Sequence, residues 1–132
     1  MRGRCAAAGL VVAAVIVAGC GAEDHPNEPR PPVPVELSAK VDNRKVVVVP
    51  DEIGAGLATI TISNQSADDV EFSLDGPNSA STDEIPAGGV GSLQLELETG
   101  EYSVDSNVPT IASSTMSVGA PRPSAQNDLL LP

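Results

Sequence analysis

The sequence predicts an all-β fold, an antiparallel β-sandwich of seven or eight short strands over residues 35–119. Three observations lead to this prediction. Apolar and polar residues alternate with period two through most of the segment. Clusters of turn-forming residues separate the alternating runs at short intervals. No window offers three turns of helical periodicity without Gly or Pro, so short strands joined by turns are expected.

The strands can be placed in chain order. Each alternating run puts apolar side chains at every second position and therefore one face of a strand against a core. The run at 46–49 is different, because its four successive valines predict a strand covered on both faces. The alternating runs lie at 35–41, 58–63, 70–74, 93–98 and 102–105, and the turns at 42–43, 54–56, 64–66, 75–78, 86–89 and 99–101.

Composition limits the class of function. The chain has 132 residues, enough for one small domain, and its formal net charge is −11. A surface of this charge repels phosphate backbones. Aromatic residues make up only 2% of the chain, so stacking platforms for bases or sugars are not expected. We therefore expect no nucleic-acid partner.

The first twenty residues have the pattern of a secretory signal. Arg2 and Arg4 precede an uninterrupted small and apolar run over residues 5–20. Its sixteen residues fall short of the roughly 20 that a membrane-spanning helix needs. We expect a signal helix that is cleaved, and the alternative is a short buried helix of the domain.

The apolar run ends in Val17-Ala18-Gly19-Cys20, which resembles the lipobox of bacterial lipoproteins. The resemblance implies cleavage after Gly19 and attachment of a diacylglycerol, with acyl chains such as palmitate, to the sulfur of Cys20. Two or three acyl chains give stable membrane attachment. The expected location is the extracytoplasmic face of a cell membrane, while inner and outer membranes remain alternatives. Cys5 would leave with the signal.

Two further segments flank the predicted domain. The lipidated Cys and a Pro-rich spacer occupy residues 20–34, and a spacer of this composition is expected to be extended and solvated. A flexible C-terminal tail is expected over residues 120–132, where the leucines at 129–131 either dock on the domain or remain free. The oligomeric state is open.

The order of motifs in the domain resembles small cupredoxin-like proteins, which implies a Greek-key sandwich. The first half carries the resemblance through an apolar strand, a Gly-rich turn and a strand that ends in an Asn turn. The second half carries it through a Pro-Gly turn, a strand and a Gly-x-Tyr segment. The motifs are VVPD at 48–51, IGAG at 53–56, ATITISNQS at 58–66, IPAGG at 85–89, LQL at 93–95 and TGEY at 99–102.

The same resemblance implies where copper ligands would lie. The two His would fall at Val70 and about Ile111, the Cys at Ser106 and the Met at Met116. Because copper sites of this kind need imidazole and thiolate donors, we expect no copper site and no cofactor, and Met116 is interpreted as a core residue of the last strand. Copper handling through Met116 and His25 of the spacer is the least favoured alternative.

The residue types of the predicted domain also bear on catalysis and on calcium binding. The predicted domain has no His or Cys to serve as base or nucleophile, so an enzyme is not expected. Asp68, Asp69 and Glu71 follow the Asn64 turn and are candidate calcium ligands, since calcium prefers oxygen donors from loops. Their alternative role is that of solvated turn residues.

The sequence therefore predicts a membrane-anchored lipoprotein of the cell envelope. Its metal-free domain is expected to act as a non-catalytic binding or structural module, with the membrane as partner through Cys20 and an unidentified envelope protein as a further partner. The alternative function is divalent-metal binding through the acidic loops.

Overall fold

A computed structural model describes residues 30–124, and in this range the protein is all-β with eight strands and no helix. The predicted all-β class is confirmed. The strands are β1 (Val35–Val41), β2 (Val46–Val49), β3 (Glu52–Asn64), β4 (Phe72–Asp75), β5 (Ser79–Ser81), β6 (Val90–Leu97), β7 (Gly100–Ser106) and β8 (Ser114–Pro121).

The strands form two sheets that share β3. One sheet has the order β2-β1-β3-β6, and the other has the order β3-β8-β7-β4-β5. β3 is thirteen residues long, and its pairing with β8 shifts register between Gly54 and Ala55. An irregularity of this kind bends a strand, so the first residues of β3 can belong to one sheet and the rest to the other.

Two of the strand pairings are parallel, which differs from the purely antiparallel sandwich that the sequence predicts. β1 pairs with β3 in parallel along its whole length, and β3 pairs with β8 in parallel. The physical reason is the chain path. β2 returns antiparallel on one side of β1, and the chain then reverses once more before β3 takes the other side.

The core is aliphatic around two aromatic side chains. Tyr102 and Phe72 are the largest fully buried residues, and Leu, Ile and Val from both sheets surround them. The valine run of β2 predicted a strand buried on both faces, and this prediction is wrong. Its side chains alternate between buried and more exposed, and Val49 is 61% exposed, because only one face of β2 is covered by the core.

The sandwich has two ends with different construction. The loop pole is the end at which β1 and β3 finish and β6 begins, and it consists of residues 42–45, 65–71, 82–89 and 107–113. The clasp pole is the opposite end, where β1 begins and β8 finishes, and it consists of residues 30–34, 50–56, 97–99 and 119–124.

Between residues 30 and 124, no helix is long and apolar enough to cross a membrane.

Candidate functional site

A single buried side chain, Asn64, organises the loop pole. Its amide Nδ2 donates hydrogen bonds to the carbonyl oxygens of Asp68, at 2.8 Å, and Ile85, at 2.9 Å. Its Oδ1 accepts hydrogen bonds from the backbone N–H of Ser66, at 3.0 Å, and from the Ser66 hydroxyl, at 2.7 Å. An Asn amide offers two donors and one oxygen with two lone pairs, so all of its capacity is used inside the protein. Asn64 therefore fixes two loops and has nothing left to bind a ligand.

Three exposed side chains connect the loops further. Asn43 Oδ1 accepts a hydrogen bond from the backbone N–H of Ala67 at 2.8 Å. Asn107 Oδ1 accepts one from Glu71 N–H at 2.9 Å, and Asp69 Oδ1 accepts one from Ala87 N–H at 3.0 Å. Each bond joins loops that are far apart in sequence, so the loop pole is a preformed surface.

The predicted acidic ligands lie at this pole but do not form a metal site. The Asp69 carboxylate accepts a hydrogen bond that holds the loop at Ala87, and the Asp68 carbonyl oxygen accepts one from Asn64 Nδ2. Within residues 30–124 the structure brings no three His, Cys, Asp or Glu side chains together as a group that could hold a metal ion. Loop geometry of this kind could not be derived from the spacing of the three carboxylates.

The turn between β1 and β2 has a strong local charge arrangement. The Asp42 carboxylate accepts hydrogen bonds from the backbone N–H groups of Arg44, at 2.8 Å, and Lys45, at 3.0 Å. The Lys40 ammonium lies 3.1 Å from the other carboxylate oxygen. These contacts, the Arg44 and Lys45 hydrogen bonds first, lower the pKa of Asp42 from 3.8 to about 2, because all of them favour the charged form.

The four positions that the cupredoxin resemblance assigns to copper ligands do not fit a copper ion. Val70 is fully buried and its backbone pairs with Ile85, while Ile111 is 6% exposed. Met116 lies inside β8 opposite Tyr102 and is fully buried, so its predicted place in a strand is confirmed. Neither imidazole nor thiolate is present at these positions, and a single thioether is a poor substitute.

Ser106, at the position that the resemblance assigns to the Cys ligand, has a buried Oγ with no hydrogen-bond partner among residues 30–124. A hydroxyl is a hard, weak donor that does not replace the thiolate of a copper site. The donor set thus supports packing and does not support metal coordination.

The clasp pole is held by Arg122, a residue that the sequence placed in a flexible tail. Its guanidinium donates hydrogen bonds to the carbonyl oxygens of Ala55 at 3.3 Å, Val33 at 2.7 Å and Leu57 at 2.5 Å. The Arg122 N–H also donates to Ala55 O at 2.9 Å. β8 continues to Pro121, so the predicted domain end at 119 falls inside this strand.

Two glycines make room for this arginine. A Cβ on Gly54 would lie 2.7 Å from Arg122 Cγ, and a Cβ on Gly56 would lie 2.6 Å from Arg122 Nη2. Gly56 also has φ +135°, a conformation that side-chain-bearing residues rarely adopt. The sequence predicted a turn at residues 54–56, but these residues lie inside β3. Glycines inside a strand often mark a close approach of another chain segment.

A second polar network lies between the sheets near the clasp pole. The Tyr102 hydroxyl donates to Asn78 Oδ1 and accepts a hydrogen bond from Glu98 N–H at 2.9 Å. Asn78 Nδ2 in turn donates to the carbonyl oxygen of Glu96 at 2.7 Å. The one tyrosine of the chain is therefore a structural residue.

The remaining predicted residues, Cys20 and His25, lie outside the described residues, as do the signal segment and the leucines at 129–131.

No family model and no curated protein matches the chain. Solved structures that are similar to it include the following two. The first is Na-dithionite reduced auracyanin from the photosynthetic bacterium Roseiflexus castenholzii, with 14% identity over 65% of this chain and 96% of that chain, at a TM-score of 0.48. The second is a multicopper oxidase, with 15% identity over 68% of this chain and 46% of that chain, also at 0.48. This chain thus spans about half of the oxidase. Because both TM-scores are below 0.5, neither structure indicates the family or the activity of this chain. The all-β class is shown by the strands themselves.

Proposed function

We propose that this protein is a lipid-anchored, non-catalytic binding module of the cell envelope, with a metal-free cupredoxin-like domain. The observation that carries the proposal is the loop pole. Its four loops are fastened to one another through Asn and Asp side chains, which produces a rigid polar surface without a catalytic group. Rigid loops on a sandwich scaffold are a common basis for recognition.

The direction of the chain supports this role. β1 begins at the clasp pole, so a lipid on Cys20 would tether that pole and leave the loop pole facing away from the bilayer. The fourteen residues between Cys20 and Val35 are long enough to reach about 40 Å in polyproline-like form. The seven residues of β1 add about 23 Å at 3.3 Å per residue. The loop pole would therefore be accessible to proteins of the envelope.

The residue types also support a non-catalytic role. The chain has its only His at position 25 and its Cys at positions 5 and 20, so the sandwich has neither a His base nor a Cys nucleophile. Three polar side chains of the loop pole, those of Asn64, Asn107 and Asp69, are already bonded to loop backbones. Binding through the surface is then the chemistry that the arrangement supports.

The anchor is tested with two cysteine variants of the full chain. Cys20→Ser should release the protein from the membrane fraction and remove the diacylglyceryl mass, because the sulfur that carries the lipid is lost. Cys5→Ser is the matched control and should leave both unchanged, since Cys5 lies in the cleaved signal. Retention of Cys20→Ser in membranes, or equal loss with Cys5→Ser, would reject the lipid anchor.

The metal-free role is tested by thermal unfolding, followed by far-UV circular dichroism. Chelator, calcium, Cu(I) and Cu(II) should each leave the midpoint unchanged. A specific ligand at 100 times its dissociation constant would add about 2.7 kcal/mol, which raises Tm by several degrees in a domain of this size. A saturable rise with calcium would assign Asp68, Asp69 and Glu71 to a metal site, and a rise with copper would reject the interpretation of Ser106 and Ile111.

A further inference from the structure

The outer edge of β6 is the longest unpaired strand edge in the part of the chain that the structure describes. All eight residues of β6 pair with β3 on one side, without a register shift. Among residues 30–124, no strand pairs with its other side. The edge strands β2 and β5 have only four and three residues, and short edges are one way in which proteins prevent unwanted pairing. β6 is longer than either of them, and β5 lies beside it without pairing with it.

The backbone groups that face outward can be identified from two hydrogen bonds. Gly89 O accepts a hydrogen bond from Asn64 N–H at the end of β3, so the backbone groups of Gly89 face β3. Glu96 O, seven residues further on, accepts its hydrogen bond from Asn78 Nδ2. Backbone groups of successive residues alternate between the two sides of an antiparallel strand. The N–H and C=O groups of Ser92 and Gln94 therefore point outward, and they have no hydrogen-bond partner among residues 30–124.

The surface beside this edge is acidic. Residues 82–86 and the first three residues of β6 line a groove of about 200 Å³ that includes Asp83, Glu84 and the 69% exposed Val90. Neither the groove nor β6 contains a Lys or Arg. Glu96 adds a further carboxylate at the other end of the edge, where Asn78 already covers the backbone. The open part of the edge is thus a short row of free peptide groups with negative charge along it.

We propose that the open edge of β6 binds an extended, Lys- or Arg-bearing segment of a partner protein as an added strand. Backbone hydrogen bonds to Ser92 and Gln94 would supply the affinity, and the carboxylates of Asp83 and Glu84 would select a basic sequence. Val90 offers an apolar contact for one side chain of the incoming strand.

Charge favours this occupant over a second copy of the chain. A symmetric pairing of two β6 edges would bring together two chains that each carry a net charge of −11. The same carboxylates, Asp83, Glu84 and Glu96, would approach one another in both halves of such a dimer, and like charges suppress association. A basic segment has the opposite sign and satisfies the same backbone groups.

The inference deepens the proposed binding role and rests on it, but the two can fail separately. If an envelope protein captured on the full chain binds a Ser92→Pro variant as tightly as it binds the parent, the partner uses another surface. That result would reject the β6 site and keep the binding module.

The direct test is amide hydrogen exchange on the full chain in detergent micelles, with a capped peptide of sequence KTKVKTKV as the probe. The Ser92 and Gln94 amides should exchange at least about tenfold more slowly at saturating peptide, while the outer amides of β2 should not change. Raising the salt concentration from about 0.05 to 0.5 M should weaken the effect, because the Debye length falls from over 10 Å to about 4 Å. No protection at Ser92 and Gln94, or equal protection by the matched acidic peptide ETEVETEV, would overturn the proposal.

Two variants test the geometry. Ser92→Pro removes only an outward N–H, which edge strands tolerate, and should abolish peptide binding, whereas Ser92→Ala keeps the N–H and should bind normally. If Ser92→Pro fails to fold, a probe peptide with alternate backbone nitrogens methylated tests the geometry instead. This peptide should not protect the Ser92 and Gln94 amides of the parent chain from exchange. Undiminished binding of the methylated peptide would reject the proposal. Protection of Ser92 and Gln94 that rises with protein concentration in the absence of peptide would reject it in favour of a second copy of the chain.

Discussion

The two poles of the sandwich are closed by different chemistry. At the loop pole, many short side chains each fasten one loop to the backbone of another, and the buried Asn64 stands at the centre. At the clasp pole, one long side chain, Arg122, reaches three carbonyl oxygens on two segments of the chain. The first arrangement distributes the hydrogen bonds, and the second concentrates them.

This difference in construction predicts how each pole responds to substitution. A distributed network should lose little when an exposed member is removed and much when its buried centre is removed, because an unsatisfied buried group costs more than a lost surface bond. A concentrated clasp should depend almost entirely on its single donor. The four predictions below test this contrast, from the largest expected effect to the smallest.

Substitution of Asn64 should have the largest effect. Asn64→Ala removes one hydrogen bond from each of the carbonyl oxygens of Asp68 and Ile85 and leaves the N–H of Ser66 without its side-chain partner. We expect a loss of about 3 kcal/mol in the free energy of unfolding. Urea unfolding measures it. Asn43→Ala, which removes one exposed bond to Ala67, is the control and should cost about 1 kcal/mol or less. Equal losses in the two variants would contradict a network with a buried centre.

Arg122→Ala should follow, with a loss of about 2 kcal/mol, because three carbonyl oxygens lose a charged donor. Arg122→Lys should restore less than half of this loss, since one ammonium cannot match the separate nitrogens of a guanidinium. Arg44→Ala is the control for removing a positive charge, and it should have almost no effect in the same urea experiment. Full rescue by lysine would show that charge alone holds the clasp.

Tyr102→Phe should produce an intermediate loss of about 1 kcal/mol. The ring stays in the core, but Asn78 Oδ1 and Glu98 N–H lose the hydroxyl that joins them. Thr99→Ala, which removes one exposed bond to the carbonyl oxygen of Gly119, is the matched variant and should cost less. If thermal unfolding shows no difference between the Phe variant and the parent, the hydroxyl network is not a stabilising part of the clasp pole.

The smallest effect is a pH dependence at the β1–β2 turn. The pKa of Asp42 is lowered to about 2 in the folded protein, so its carboxylate favours the folded state above pH 3.8, and this contribution is lost as the pH falls towards 2. The stability difference between the parent and Asp42→Asn should therefore shrink between pH 4 and pH 2, as measured by urea unfolding. Carboxyl NMR titration of Asp42 gives the pKa directly, and a value near 3.8 would reject the turn contacts.

The strands were predictable because alternation and turn chemistry act locally. The runs around Ile60, Leu95 and Tyr102 all lie in strands of the structure. The prediction for the valine run of β2 was wrong because four β-branched residues indicate an extended backbone and do not indicate whether a second layer covers the outer face. The two parallel pairings depend on the path of the chain over the whole sandwich, which no local pattern contains.

The candidate site was less predictable than the fold. Asp69 was selected for its charge, but its role depends on Ala87, which is eighteen residues away in sequence. Arg122 lies in a Pro-rich stretch that suggests a free tail, and only the contact with Gly54 and Gly56 shows its role. Hydrogen bonds between distant segments follow from tertiary structure, so residue type and spacing alone could not reveal them.

The sharing of β3 between both sheets has a consequence for how the chain folds. Neither sheet is complete without β3, so neither can form as an independent half, and the sandwich should fold in one cooperative step. Almost every pairing of β3 joins residues distant in sequence, and proteins dominated by such pairings fold on the millisecond to second timescale. The bend at Gly54 and Ala55 is therefore the point at which the two sheets become a single folding unit.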